Sequence, residues 1–374
     1  MSTDLFIFAG EKSADIHGER LLLALKKKFP HLQISGVGGP KMRSVGMQSI
    51  LQMEDFQVIG FIDVFFSLPS LIRHFYTVSR AIAKLQPKVV LTIDYPGFNL
   101  RLHRHLRKKG YTGKICHYIC PSVWAWGKNR IPLMVHHLDL LLTILPFEKK
   151  LFEGTSLKVA YVGNPLVEKI SSYVYKPFSL SKDKKSVAVF PGSRKKEIER
   201  NLPLQLQACK KLEGFTIAIS LSDERFAPLI QSILDQEGFS KDTVSIISAD
   251  YTYELMREAY FAIAKSGTVT LELALHRVPT VVVYAISAWD LFIAKDLLRI
   301  RLPYYCLVNI IAGKEIFAEL IGPHFTRESL LAHAHALLDP SNYSQCQKDC
   351  EEVISILGQI NAAEEATKQL TPLL

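Results

Sequence analysis

The stretches SVAVFPGSRKKEIERNLP (residues 186–203) and YFAIAKSGTVTLELAL (residues 260–275) decide the fold of this chain. In each, a short run of small and apolar residues enters a turn of small residues, Pro191-Gly192-Ser193-Arg194 or Lys265-Ser266-Gly267-Thr268, and leaves it as a helix. A strand that feeds a helix through such a turn leaves free backbone N–H groups and a partial positive charge at the helix start, which suits an anion. One turn adds the Arg194 guanidinium, able to pair with phosphate oxygens. The other has Gly267, where the backbone can be approached closely, and Glu272 one turn into its helix, able to accept from ribose hydroxyls. Two such turns in one α/β segment point to a nucleotide diphosphate sugar. At each position a plainer reading stands beside it: Arg194 as the start of a surface charge run, Glu272 as a solvated helix carboxylate.

Outward from these turns, strands and helices alternate. Apolar runs predict strands at 5–9, 33–37, 89–93, 114–119, 140–145 and 158–161, with helices at 16–29, 68–85, 100–109 and 131–137. The pattern restarts with strands at 187–190, 216–220, 244–246, 261–264 and 280–284, and ends in helices at 328–337 and 343–370, broken near Gly358. Such alternation predicts parallel sheets with right-handed crossovers. The 374 residues suit two domains. We expect an N-terminal domain over 1–170, a polar and basic linker over 171–185, a C-terminal domain over 186–340 and a helical tail over 341–374. Ligands of such sheets lie off the carboxyl ends of the strands, here in a cleft between two doubly wound halves.

Composition narrows the partners. The net charge of +9 fits phosphorylated substrates or an anionic membrane surface. No DNA- or RNA-binding module and no arginine-rich arm accompany it, so nucleic acid is not expected. The start of the chain lacks the basic and apolar regions of a signal peptide, and the most apolar stretches (138–147 and 280–286) are shorter than the roughly 18 residues of a membrane helix. A cytosolic protein is expected, with surface attachment to a membrane open. The six cysteines lack metal-site spacing and read as reduced thiols, with Cys116 and Cys120 on one face of a strand.

In the first half, Glu11 and Ser13 follow the first strand, where Ser13 or Asp15 could equally be a helix N-cap. Asp94, at the end of a strand of aliphatic residues, is either a base with a raised pKa or a turn aspartate in front of Pro96. The loop holding Trp124 and Trp126 either binds something apolar or packs as a satellite core, with Lys128 and Arg130 beside it. Residues 56–75, which include Phe61, Phe65 and Phe66, are too apolar for an ordinary loop and read as a lid, a membrane-facing patch or core. Asn309, a lone amide in an aliphatic loop, is a turn-former or a ligand contact.

Taken together, AGEKSADIHG, GVGGPKM, EDFQVIGFIDV, IDYPGFN, PSVWAWGKNRI, ILPFEKKLFE, VGNPL, PGSRKKEI, KSGTVTLE and VNIIAGKEIFAELI resemble the lipid-A-disaccharide synthase family, in order and over nearly the whole chain. The resemblance implies a GT-B glycosyltransferase with two Rossmann-like doubly wound domains. It implies transfer from UDP-2,3-diacylglucosamine to the 6-hydroxyl of 2,3-diacylglucosamine 1-phosphate (lipid X), with inversion, in the lipid A pathway of a Gram-negative bacterium. It implies no metal and no cofactor. Asp94 matches the family's candidate base, with Glu11, Ser13 and Asn309 around the site; Ser193, Arg194, Ser266, Gly267 and Thr268 would hold the diphosphate and Glu272 the ribose. The apolar segment and the tryptophan loop would admit acyl chains at the cytosolic face of the inner membrane, and a homodimer with exchanged C-terminal parts is implied. A UDP-sugar 2-epimerase or a non-catalytic binding paralogue are the alternatives. The chain departs from the family pattern at Ala14, Gly97, Asn164 and Lys265.

Overall fold

A computed structural model describes residues 3–56, 61–125, 127–180, 185–240, 243–286 and 302–374, with the side chains of 61–68 outside the description. The chain divides into two compact units, one formed by residues 1–168 with 359–374 and the other by 169–358. Each is a parallel sheet between helical layers.

The first unit has seven strands: β1 (Leu5–Ala9), β2 (Ile34–Gly38), β3 (Gln48–Gln52), β4 (Val89–Ile93), β5 (Lys114–Tyr118), β6 (Leu140–Thr143) and β7 (Lys158–Tyr161), in the order β3-β2-β1-β4-β5-β6-β7. Their side chains alternate between two cores. Leu5, Ile7 and Ala9 join Leu21, Leu22 and Leu25 of the helix Lys12–Lys28, whereas Phe6 and Phe8 join Val78, Ile82, Leu102 and Leu106 of the helices Phe61–Leu85 and Pro96–Lys108. Burial on both faces is why these strands read as unbroken apolar runs. The last helix, Ala362–Leu370, buries Ala366 and Leu370 in the first of these cores.

The second unit has β8 (Lys185–Phe190), β9 (Phe215–Ser220), β10 (Val244–Ile247), β11 (Phe261–Lys265), β12 (Thr280–Tyr284) and β13 (Glu319–Ile321), in the order β10-β9-β8-β11-β12-β13. Val187, Val189, Ile217, Ile219, Ile263, Val281 and Val283 face Ile198, Leu202 and Leu206 of the helix Lys195–Cys209; Ala188, Ala218, Ala262 and Ala264 face the opposite layer.

Both sheets reverse strand order once, between β1 and β4 and between β8 and β11. Loops leaving two such neighbours diverge to opposite faces and open a crevice between them. The pairs run in register over Leu5–Ala9 with Val89–Ile93 and over Val187–Phe190 with Phe261–Ala264. The turns singled out in the sequence therefore start side by side.

Several expectations are corrected. β3 and β13 were not expected, nor was the helix Leu307–Ala312, which replaces the expected loop around Asn309. Cys116 and Cys120 do not share a face: β5 ends at Tyr118, Ile119 turns with φ 73°, and the two thiols enter opposite cores.

Candidate functional site

In the C-terminal unit the turns after β8 and β11 wall a cavity of about 350 Å³, lined by Gly192, Ser193, Glu197, Lys265, Gly267, Thr268 and Glu272, with Ser220, Ser222 and Thr252 on the side of β9. The chemistry of the turn centres on Glu197, which the sequence reading passed over. One of its carboxylate oxygens accepts from the Ser193 N–H at 3.1 Å. The other lies 3.1 Å from the Arg194 guanidinium and 3.1 Å from the Lys265 ammonium. Burial pushes this carboxyl up, but Lys265, the Ser193 N–H and Arg194 outweigh it and hold it below the usual range. The spacing is that of a capping box, with a glutamate three residues after the helix N-cap, so the sequence did carry a signal for it.

Gly192 has φ 125°, and a Cβ there would lie 2.7 Å from both the Cβ and a carboxylate oxygen of Glu197. The turn therefore needs glycine at this position. Behind it, buried Asn201 donates to the Pro191 and Glu197 carbonyls and accepts from the Ala285 N–H, fixing the turn to the start of its helix. Lys265, the last residue of β11, also has its ammonium 4.7 Å from the centre of the Tyr284 ring. Gly267 is extended, and a Cβ there would meet nothing nearer than 4.0 Å. Glu272 lines the far side and accepts from the Tyr253 hydroxyl at 2.8 Å; burial raises its pKa against that hydrogen bond and the charge of Lys169.

The structure thus brings Ser193, Gly267, Thr268 and Glu272 to one cavity, with Arg194 tied to its wall through Glu197 and Ser266 between two lining residues. Asn309 is not among the lining residues. It is fully buried, donates to the Phe317 carbonyl and to Glu319, and accepts from the Ile316 and Phe317 N–H groups, so its amide braces the turn into β13.

In the N-terminal unit Glu11 follows β1 and Asp94 follows β4, the two strands at the reversal. Asp94 and Tyr95 are left-handed, with φ 49° and 48°. Two consecutive non-glycine residues of this kind are costly and mark a held geometry. The Asp94 N–H donates to the Tyr118 carbonyl at 2.9 Å, and its carbonyl accepts from the Asn99 amide at 2.6 Å. Burial raises the Asp94 pKa; burial and then the Asp94 charge raise that of Glu11. These are two coupled carboxyl groups, one able to hold a proton while the other is ionised.

Ser13 is exposed in the first turn of its helix and caps nothing. Asp15, the alternative cap, instead serves a neighbouring helix, Pro40–Ser44, by accepting from the Gly39, Lys41 and Met42 N–H groups. The Trp124 ring meets Phe147 edge-on at 5.7 Å, and its indole hydrogen-bonds to buried Glu148. Trp126 lies outside the described residues, as do the side chains of Phe61, Phe65 and Phe66. Of the apolar segment that is described, Phe56 packs with Phe8 and Phe98, while Ile72 and Tyr76 are exposed.

A family model described as lipid-A-disaccharide synthetase matches residues 5–371. The chain belongs to this family. Among its relatives, the lipid-A-disaccharide synthase of Chlamydia pneumoniae is 41% identical over 99% of this chain and 63% of its own length. That of Coxiella burnetii is 30% identical over 99% of this chain and 98% of its own length. The chain thus spans less than two thirds of the chlamydial relatives it matches. Among solved structures, a UDP-GlcNAc 2-epimerase from Neisseria meningitidis bound to UDP-GlcNAc matches with a TM-score of 0.56 at 13% identity, over 100% of this chain and 99% of its own. A glycosyltransferase from Rickettsia africae matches with a TM-score of 0.58 at 11% identity, over 100% and 97%. These likenesses establish the fold, two parallel-sheet α/β units of the GT-B type.

Proposed function

We propose that this member of the lipid-A-disaccharide synthetase family transfers the sugar of UDP-2,3-diacylglucosamine to the 6-hydroxyl of 2,3-diacylglucosamine 1-phosphate, releasing UDP. The observation that carries the reading is that both sheets place their chemistry at the reversal point: two coupled carboxyl groups in one unit, a cationic and N–H-rich cavity in the other. Asp94 takes the acceptor hydroxyl proton as the new O–C1 bond forms on the face opposite the departing UDP, and the anomeric configuration inverts. Its raised pKa makes it a stronger base than an exposed aspartate. Ser193, Arg194 and the Ser266-Gly267-Thr268 turn bind the diphosphate, and Glu272 binds the ribose. These donors favour the charge that develops on UDP as the C1–O bond breaks.

Glu11 supports Asp94 by electrostatic coupling, and Ser13 lies beside it in the chain. Trp124 and Trp126, with Phe61, Phe65 and Phe66, are assigned to the acyl chains. Exposed Ile72 and Tyr76, alongside Arg73 and Arg80, are in keeping with peripheral attachment to the cytosolic face of the inner membrane. Among the described residues no helix is long and apolar enough to cross a membrane. A homodimer with exchanged C-terminal parts completes the proposal, as do the boundaries 1–170, 171–185, 186–340 and 341–374.

The test incubates the purified protein with both substrates and follows UDP and disaccharide. Disaccharide is expected from the wild type. Asp94→Asn, which tolerates the left-handed backbone, should lose turnover by at least a hundredfold while binding UDP normally. The acid limb of the wild-type rate profile should lie above the ordinary aspartate range, because the base works only when ionised. An epimerised UDP-sugar in place of disaccharide, or full activity in Asp94→Asn, would overturn the proposal.

A further inference from the structure

The resting partner of Lys265 is Glu197, yet the lysine lines the cavity and lies between the two glycine turns. Among the described residues that line it, Lys265 is the one cation. Its ammonium is 3.1 Å from Glu197, and the two side chains keep only 16% and 10% of their exposure. Arg194 reaches the same carboxylate oxygen, but its side chain is 80% exposed. The two cations therefore differ in kind: one is held at the wall of the cavity and largely shielded from water, the other is screened by solvent. A charge held in a shielded site acts more strongly on a bound anion than a mobile surface charge does.

We propose that Lys265 is a diphosphate-binding residue, a second cation for the leaving nucleotide beside Arg194, with Glu197 as the positioning residue that aims both. This rests on the nucleotide site proposed above and adds to it a contact to phosphate alone. The geometry supports the division of labour. Glu197 is fixed by the Ser193 N–H and the close approach of Gly192, so it cannot follow its cations far. Lys265 sits at the end of β11, immediately before the Ser266-Gly267-Thr268 turn, with the Tyr284 ring beside its ammonium. An ammonium has three donors, so it can keep Glu197 and still donate to a phosphate oxygen. When the C1–O bond of the donor breaks, its electron pair passes to the phosphate oxygen, and a cation at that oxygen lowers the cost. Glu197 leaves the three-residue cluster with a charge of +1, enough to attract the nucleotide without holding the product too firmly.

The experiment measures UDP and uridine binding by calorimetry for the wild type, Lys265→Met, Lys265→Arg and the double variant Glu197→Gln/Lys265→Met. Lys265→Met should bind UDP at least tenfold more weakly, about 1.4 kcal/mol, while uridine, which has no phosphate, changes less than twofold. Lys265→Arg should recover part of the loss. The double variant removes the counter-ion as well as the cation and keeps the cluster neutral, so it separates the two roles. UDP binding that stays weak there supports a phosphate contact. Restored binding would mean that Lys265 serves only Glu197, and would overturn the inference, as would unchanged UDP affinity in Lys265→Met. A wild type that binds neither UDP nor uridine would instead overturn the nucleotide site itself.

Discussion

Replacing Gly192 with alanine should break the diphosphate turn, and the size of the effect can be worked from three contributions. The backbone φ of 125° is one that an L side chain rarely adopts, which costs about 1–3 kcal/mol. The new methyl would sit 2.7 Å from the Glu197 Cβ; that atom is fixed to the helix Lys195–Cys209, so a rotamer change cannot relieve the clash. Once Glu197 moves, its hydrogen bond from the Ser193 N–H is lost, roughly 1 kcal/mol. Its ion pair with Lys265 is strained too. That pair is largely buried, so a further 1–3 kcal/mol is expected, somewhat below the cost of breaking a fully buried pair. The sum is about 3–6 kcal/mol, concentrated in the C-terminal unit. Amide hydrogen exchange in the helix Lys195–Cys209 should report it as lost protection, and calorimetry should show UDP binding weakened at least tenfold. Gly267→Ala is the contrast. There the backbone is extended and a methyl meets open space, so stability should change by less than about 1 kcal/mol while UDP binding still falls. Exchange and UDP affinity both unchanged in Gly192→Ala would refute the account of the turn.

Two further outcomes follow from buried groups in the N-terminal unit. Burial pushes the Glu148 carboxyl up to about 8, against N–H donors from Ile144, Leu145 and Trp124. The native state thus holds a proton there that the unfolded chain releases. Stability is greatest below the ordinary glutamate pKa, declines as pH rises toward 8 and levels off above it, by roughly 3–5 kcal/mol in all. Urea unfolding of Glu148→Gln should lose this decline; an unaltered profile would refute it. Separately, the Thr92 hydroxyl bridges buried His103 at 2.8 Å and His117 at 2.7 Å, and the other nitrogen of each ring has no partner. Thr92→Val orphans two more buried nitrogens and should cost about 2–5 kcal/mol. Burial lowers both imidazole pKa values, that of His117 to about 4. The stability of the wild type should therefore be complete above the ordinary histidine pKa and fall as pH drops toward 4. Thr92→Val unfolding at the wild-type urea midpoint would count against the bridge.

The parallel α/β pattern was legible because strands buried on both faces, such as Val89–Ile93, carry unbroken apolar runs that water would penalise anywhere else. β3 escaped for the opposite reason. It is an edge strand of sequence QSILQ, partly exposed along its length, and its residues carry no burial signal. β13 has only three residues, too few to show a period. Cys116 and Cys120 were placed together by counting two-residue steps, which fails once Ile119 turns left-handed. Asn309 illustrates a limit of another kind: a lone amide among aliphatics says that partners exist, but only the fold reveals that Phe317, Ile316 and Glu319 supply them all.

The candidate site was legible in its turns but not in its pairing. Small residues after a strand and a helix-starting pattern identify each turn by itself. Which turns are neighbours depends on strand order, and that order is set by long-range pairing between β8 and β11 and between β1 and β4. Given that order, the same topology yields opposite electrostatics in the two units. After β1 and β4 the chain supplies Glu11 and Asp94, whose mutual repulsion and burial favour taking up a proton. After β8 and β11 it supplies glycine turns, Arg194 and Lys265, which favour an anion. A sugar transfer that moves a proton from one reactant and leaves charge on the other needs these two environments, and two copies of one sheet architecture provide them by changing only the residues at the reversal.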